Sequence, residues 1–310
     1  MVTGGAGFIG CRLVARLLAA GKSVHVVDDL SLGRRENLQE HLNNPKLKLT
    51  VMDMCRPEFI DLMVQDKPGQ VFHLAANSDI QKGTTDRNTD LNNTFLTTFQ
   101  VMEGMKRAGV RDVVFASTSA IYGEADGQLK EDHGPLKPIS LYGAGKLAAE
   151  AYVSAYVHLF NMRAWIFRFP NVVGPNLTHG AIYDFVRRLH KDKTRLTVLG
   201  NGTQLKPYIH VDDLLDAIQL GITQPANPME VYNVAGEGAT TVREMAELVK
   251  AGLGYKDAVI EYGTSDRGWP GDVPKFAYDT SKIRSLGWKP KRNSREAVEA
   301  SIKAEVEKLR

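Results

Sequence analysis

Gly4-Gly5-Ala6-Gly7-Phe8-Ile9-Gly10 stands at the junction of a short apolar strand and an amphipathic stretch running from about Gly10 to Ala20. Glycines at 4, 7 and 10 let the backbone turn tightly, approach an anion and pack a helix closely on a sheet. The amino end of that helix offers unpaired N–H groups and a partial positive charge, which suit a diphosphate. The next strand, Ser23-Val24-His25-Val26-Val27, ends in Asp28-Asp29, with Ser31 and Gly33 in the turn beyond. An acid about 20 residues past the glycines is placed to bind ribose hydroxyls and repels a 2′-phosphate, so the spacing favours NAD over NADP. Arg34 and Arg35 come after that turn and read as a solvated basic loop. Two further strands end in Asp53-Met54 and in Leu74-Ala75-Ala76, whose short residues leave room for adenine and phosphates. Strand and helix patterns alternate up to about Arg168, which predicts a Rossmann-type doubly wound parallel sheet.

Tyr142 and Lys146 are four apart on a predicted helix from about Leu141 to Phe160, so both project from one face. A free phenol titrates at about 10, too high for a base at neutral pH. A neighbouring ammonium and a cationic nicotinamide favour the phenolate. The strand Asp112-Val113-Val114-Phe115-Ala116 runs into Ser117-Thr118-Ser119, which offers a hydroxyl to share the reacting proton. A Tyr/Lys pair alone is common; after the fifth strand of such a pattern it points to hydride-transfer chemistry.

With these residues in view, the chain resembles the extended short-chain dehydrogenase/reductases that act on nucleotide sugars, nearest to the UDP-galactose 4-epimerases. The resemblance spans nearly the whole chain. It includes Ser117 to Gly123, Arg168-Phe169-Pro170-Asn171-Val172-Val173-Gly174, Tyr208-Ile209-His210-Val211-Asp212-Asp213, Arg267 to Pro274 and Leu286-Gly287-Trp288-Lys289-Pro290. It implies Thr118, Tyr142 and Lys146 as the catalytic set. It also implies Ser117 and Phe169 as additions to the cofactor residues Gly4, Gly7, Phe8, Ile9, Gly10, Asp28, Asp29, Ser31, Gly33, Asp53, Met54, Leu74, Ala75 and Ala76. For substrate it implies Lys206 and Arg267 on the diphosphate, Asp272 on the nucleoside and Asn171 on the sugar nucleotide. His179-Gly180-Ala181 and the strand Leu196 to Leu199, with Thr197, would line sugar and uracil, and Phe276 would limit the sugar substituent. A diphosphate needs at least two cations and a flat base an apolar slot.

Family dehydratases and decarboxylases place an acid just after the catalytic Thr, where this chain has Ser119-Ala120, so its chemistry is expected to stop at C4. The branch that relies on an added Cys and His pair is also excluded, since Cys11 and Cys55 lie in other segments. Interconversion of UDP-glucose and UDP-galactose through a 4-keto sugar is the leading expectation. The alternatives are C4 chemistry on a UDP-hexuronate, UDP-N-acetylhexosamine or CDP/dTDP-hexose, and a Rossmann binding protein without catalysis, which would have no use for Tyr142 beside nicotinamide. Three departures from the family are visible: Thr94 where an Asn is common, no Lys within Asn77-Ser78-Asp79, and only Met1 and Val2 before Thr3, so the authentic start is expected upstream.

At 310 residues the chain allows two intimate domains: a NAD-binding one over 1–168, with 207–236 returning to it, and a smaller C-terminal α/β substrate-binding lobe over 169–310. A net charge of +3, without a long basic run, argues against nucleic acid. Two cysteines and no Cys-x-x-Cys argue against disulfides and metal. No signal core or membrane span is visible, so a cytoplasmic location is expected. The resemblance further implies a homodimer through a four-helix bundle, with Leu91, Phe95, Thr98, Phe99, Met102, Leu147, Tyr152 and Tyr156 as candidate contacts.

Overall fold

The computed structural model describes residues 1–225 and 228–309. β1 (Val2–Thr3), β2 (Val24–Asp28), β3 (Leu47–Val51), β4 (Val71–His73) and β5 (Asp112–Thr118) join the strands Arg163–Phe169 and Met229–Asn233 in one seven-stranded sheet. Across the sheet the order is Met229–Asn233, Arg163–Phe169, β5, β4, β1, β2, β3. β1 is parallel to both neighbours, with Val2 opposite Val26 and Phe72. Its two residues are buried, and so are all five of β2 and all three of β4. Strands covered on both faces are apolar throughout rather than alternating, which is why Val-rich runs form them. The order reverses between β1 and β4, and the carboxyl ends of strands at such a reversal form a ligand crevice.

Helix α1 (Phe8–Ala19) lays Cys11, Leu13, Val14 and Leu18 against the sheet. On the other side of it, Phe59, Met63, Val101, Met105, Val113, Phe115, Val153 and Ile166 belong to one buried cluster. No helix among the described residues is long and apolar enough to cross a membrane.

By packing, the chain divides into two compact units: Met1–Ile121 with Ser140–Arg168 and Ile218–Tyr232, and Tyr122–Ile139 with Phe169–Ala217 and Asn233–Arg310. The segment 122–139, read from sequence as part of the first domain, packs in the second unit. Gln128–Leu129 pairs there with Ala277–Tyr278, and the Tyr122 hydroxyl donates to the Asn233 side chain at 2.7 Å. Both contacts join residues over a hundred positions apart, beyond the reach of local pattern. In the second unit the helices Ala181–Lys191, Val242–Leu253 and Ser294–Glu307 share a core containing Phe185, Leu189, Met245, Val249, Val298 and Ile302. Thr241/Glu244 and Asn293/Glu296 form capping boxes that satisfy the first N–H groups of the last two helices.

The helix expected from Asn88 to Ala108 is interrupted. Leu91–Leu96 is a π-turn, followed by the α-helix Thr97–Ala108. Thr98 Oγ1 donates to Thr94 O at 2.7 Å and Thr97 Oγ1 to Asn92 O at 3.3 Å, so hydroxyls serve carbonyls that the widened turn releases. The turn also changes which side chains face outward. Thr98 and Met102, expected on a subunit contact, are fully buried in the first unit, and Tyr156 is buried with its hydroxyl donating to Glu103 at 2.5 Å. Leu91 and Tyr152 are exposed, with Phe95 and Phe99 set edge-on to the Tyr152 ring.

Candidate active site

Ser140 caps the helix Leu141–Leu159 by accepting from Gly143 N at 3.1 Å, which fixes the first turn and sets Tyr142 and Lys146 one turn apart. Thr118 ends β5, and the Tyr142 hydroxyl lies beside its hydroxyl. Lys146 is 2% exposed; its Nζ donates to Ala116 O at 2.7 Å and sits 4.8 Å from the centre of the Phe115 ring. The structure therefore brings Thr118, Tyr142 and Lys146 together. Burial pushes the Tyr142 phenol up to about 12, against the pull of the Thr118 hydroxyl, and Asp90 adds to the rise. Burial also lowers Lys146 from 10.5 to about 7, with Glu150 and Asp90 opposing. Among the protein's own groups, taking a phenolate out of water outweighs the Thr118 hydroxyl. To make Tyr142 a base near neutrality, further positive charge is required.

Ser117 is committed elsewhere. Its hydroxyl donates to Glu150, which also holds Arg168 through Nη2 at 2.7 Å and Nε at 3.0 Å, all buried. A buried acid facing a hydroxyl and a guanidinium is well satisfied.

The glycine run fits a dinucleotide. A methyl on Gly10 would stand 2.1 Å from Gly4 O, and one on Gly4 would stand 2.7 Å from Ala75 N, so the turn tolerates nothing larger. No side chain caps α1 at Gly7, which leaves the N–H groups of Phe8, Ile9 and Gly10 for an anion. Asp28 ends β2, buried, and accepts from Ala6 N and Leu30 N at 2.9 Å, with lone pairs to spare for ribose hydroxyls. Gly33 packs directly over that carboxylate. Asp29 is exposed and spent on Ser31, whose N and Oγ both donate to it. Leu74, Ala75 and Ala76 are half-buried just beyond β4. Asp53 caps a local turn through Cys55 N, whereas the Met54 side chain lies in the core. Phe169 is half-buried at the end of its strand.

In the second unit, Lys206 is ion-paired with Asp272, whose other oxygen accepts from Gly268 N at 3.1 Å. Arg267 reaches Asp272 O at 3.4 Å and is ion-paired with Glu124. Tyr208, buried on the strand Tyr208–His210, is opposite Asn171, and its hydroxyl lies beside that amide; burial raises its phenol, and the Asp272 charge adds to the rise. Tyr208 so faces Asn171 and the charge of Asp272, and Lys206 and Arg267 meet at Asp272. Leu199, largely exposed, lies against Gly268 on the same loop cluster. Thr197 is exposed on the strand Arg195–Val198, with its carbonyl held by Arg188 at 2.7 Å. His179, Gly180 and Ala181 lie at the start of the helix Ala181–Lys191, where His179 pairs with Thr178. Phe276 packs edge-on to Tyr278.

Reading the sequence missed Tyr208, Glu124, Glu150 and Asp90. Tyr208 lies inside a quoted motif and was within reach; the others have no local signature.

A model of the NAD dependent epimerase/dehydratase family matches residues 1–235. A UDP-glucose 4-epimerase of Mycolicibacterium smegmatis is 32% identical over 297 residues, covering 94% of this chain and 93% of that protein. The crystal structure of a UDP-galactose 4-epimerase superposes with a TM-score of 0.88 at 37% identity, covering 100% of this chain and 99% of the other. UDP-glucuronic acid 4-epimerase from Bacillus cereus, solved with UDP-glucuronic acid and NAD, gives 0.89 at 26% identity, covering 100% and 99%. On this likeness from end to end, and with a glycine turn that fits its cofactor, the chain belongs to the NAD dependent epimerase/dehydratase family and is an NAD-dependent enzyme.

Proposed function

We propose that the protein is a UDP-sugar 4-epimerase that interconverts UDP-glucose and UDP-galactose through a 4-keto sugar. The observation that carries this reading is the Thr118, Tyr142 and Lys146 grouping, followed by Ser119-Ala120 with no acid at either position. Tyr142 takes the proton of the sugar 4-hydroxyl, with the Thr118 hydroxyl sharing it. When bound, NAD supplies the acceptor and donor of the C4 hydride and, oxidised, a positive ring. Once the 4-keto sugar has turned so that the hydride returns to the opposite face of C4, Tyr142 gives the proton back to O4, so it ends each turnover as it began. Lys146 as ammonium supplies the protein's own part of the charge that favours phenolate.

Lys206 and Arg267 hold the diphosphate. An ammonium has three donors and a guanidinium five, so the bonds to Asp272 and Glu124 leave several for phosphate oxygens. Asp272 binds the nucleoside ribose, and Asn171, oriented by Tyr208, binds the sugar nucleotide. Exposed Leu91 and Tyr152, with half-buried Phe95 and Phe99 beside them, support a homodimer through paired helices.

Incubation of the purified protein with UDP-glucose, UDP-glucuronate, UDP-N-acetylglucosamine and dTDP-glucose, followed by proton NMR of the sugar, tests the reading. C4 inversion of UDP-glucose is expected to be fastest. Inversion confined to another sugar would replace the substrate, and no inversion of any would sink the reaction.

A further inference from the structure

Asp90 is 1% exposed, immediately before the π-turn. Its Oδ1 accepts from Asn77 Nδ2 at 2.9 Å, while Oδ2 meets no donor among the described residues. The space about Oδ2 is closed by Gly83, where a methyl would stand 2.0 Å from that oxygen. On its other side the Asp90 turn is pressed against the helix that carries Lys146, for a methyl on Gly145 would stand 3.3 Å from Asp90 O. Burial pushes the Asp90 carboxyl up, and the Asn77 and Thr94 side chains and the Lys146 charge are what favour its charged form.

The charges facing Lys146 are few. Glu150, on its own helix, is already answered by Arg168 and Ser117, so that group is neutral as a whole. His73 is buried and neutral: Thr98 spends its proton on Thr94 O, so His73 Nε2–H must donate to Thr98 while Thr3 donates to Nδ1. Tyr142 is a neutral phenol at rest, and Asp79 is half-exposed beside Asp90, where water screens it. Glu150 and Asp90 both favour the Lys146 ammonium, Glu150 the more, and Asp90 is the one of the two with no arginine of its own among the described residues.

We propose that Asp90 is a positioning residue whose carboxylate adds to Glu150 as a counter-charge that favours the Lys146 ammonium, and through it makes Tyr142 available as the base. The role in catalysis rests on the epimerase reading above; the electrostatic pairing does not. Burial alone pulls the Lys146 ammonium toward neutrality, and a neutral amine gives the phenolate no support.

The test is the protonation of Lys146 itself, followed by NMR of the NAD-loaded protein labelled with 15N at lysine Nζ, its resonance assigned by its loss in Lys146→Met. Asp90→Asn and Asp90→Leu remove the charge with different shapes, and thermal unfolding checks that each is folded. Both are expected to lower the Lys146 midpoint by about one pH unit, the scale of one nearby opposite charge. An unchanged midpoint in folded Asp90→Asn would overturn the proposal, and so would a shift in only one of the two variants, which would report packing. The nucleotide-sugar panel separates the two claims: a shifted midpoint with no C4 inversion sinks the reaction and leaves the pairing standing.

Discussion

Lys146 in the first unit has no carboxylate within ion-pair distance among the described residues; a main-chain oxygen and an aromatic face hold it. Lys206 in the second unit is joined directly to Asp272. The difference fits the roles proposed for each. A direct salt bridge pins an ammonium and uses up its field, which suits a group that only has to wait for an anion. A lysine set apart from its counter-charge keeps its field for a neighbour, here the Tyr142 hydroxyl. The scaffolds differ in the same sense. Thr118, Tyr142 and Lys146 stand on a buried strand and a capped helix of nineteen residues, whereas Lys206, Arg267 and Asp272 stand on a two-residue strand and a loop.

If the first unit carries the chemistry, Tyr142→Phe should lose about 10²–10⁴-fold in turnover with UDP affinity intact, as read by coupled kinetics and calorimetry. A wild-type rate would remove Tyr142 from the mechanism. The second expectation concerns the scaffold. Arg168→Met leaves Glu150 charged and unpaired in the core, and urea unfolding should show a loss of about 3–5 kcal/mol. A loss no larger than at an exposed pair such as Arg295–Glu299 would mean that water reaches the site. In the second unit, Arg267→Met should weaken UDP binding by about 10–100-fold, the worth of one hydrogen bond between charged groups, and leave the NAD content unchanged. An equal fall in both would erase the division of labour.

The smallest effect is on pH. Burial lowers His73 from 6.5 to about 3, with Lys146 adding to it, so it stays neutral in the folded chain. The unfolded chain binds a proton below about 6.5. Stability from this group is therefore complete above that value and is lost as pH falls toward 3. Unfolding free energy measured from pH 7 to 4 should have its slope reduced by about one proton in His73→Gln.

The sheet and its cofactor turn were legible because each needs a local pattern: glycines at fixed spacing, Val-rich strands and an acid at a strand end. Tyr142 and Lys146 were legible for the same reason, being one turn apart. What escaped depends on distant partners. Asp90 and Lys146 are 56 positions apart (146 − 90), and nothing near Asp90 in sequence marks it. Glu150 looks like a surface residue of an amphipathic helix until Arg168 and Ser117 are seen to meet it. The expected contact face failed at Thr98 and Met102 because a steady 3.6-residue period was carried across a turn that does not keep it.

That turn has a consequence for how the segment can change. An α-helix advances by about 100° per residue, and the wider turn at Leu91–Leu96 carries one residue more than an ordinary coil would. A single deletion within 91–96 would let the helix close up into an unbroken α-helix, with no loss of helical signal in circular dichroism. The same tightening with every residue kept would dial all that precedes it round by about a quarter turn, and Asp90 would swing away from Asn77 and Gly83. In that segment the number of residues is itself a specification, as exacting as the identity of any one of them.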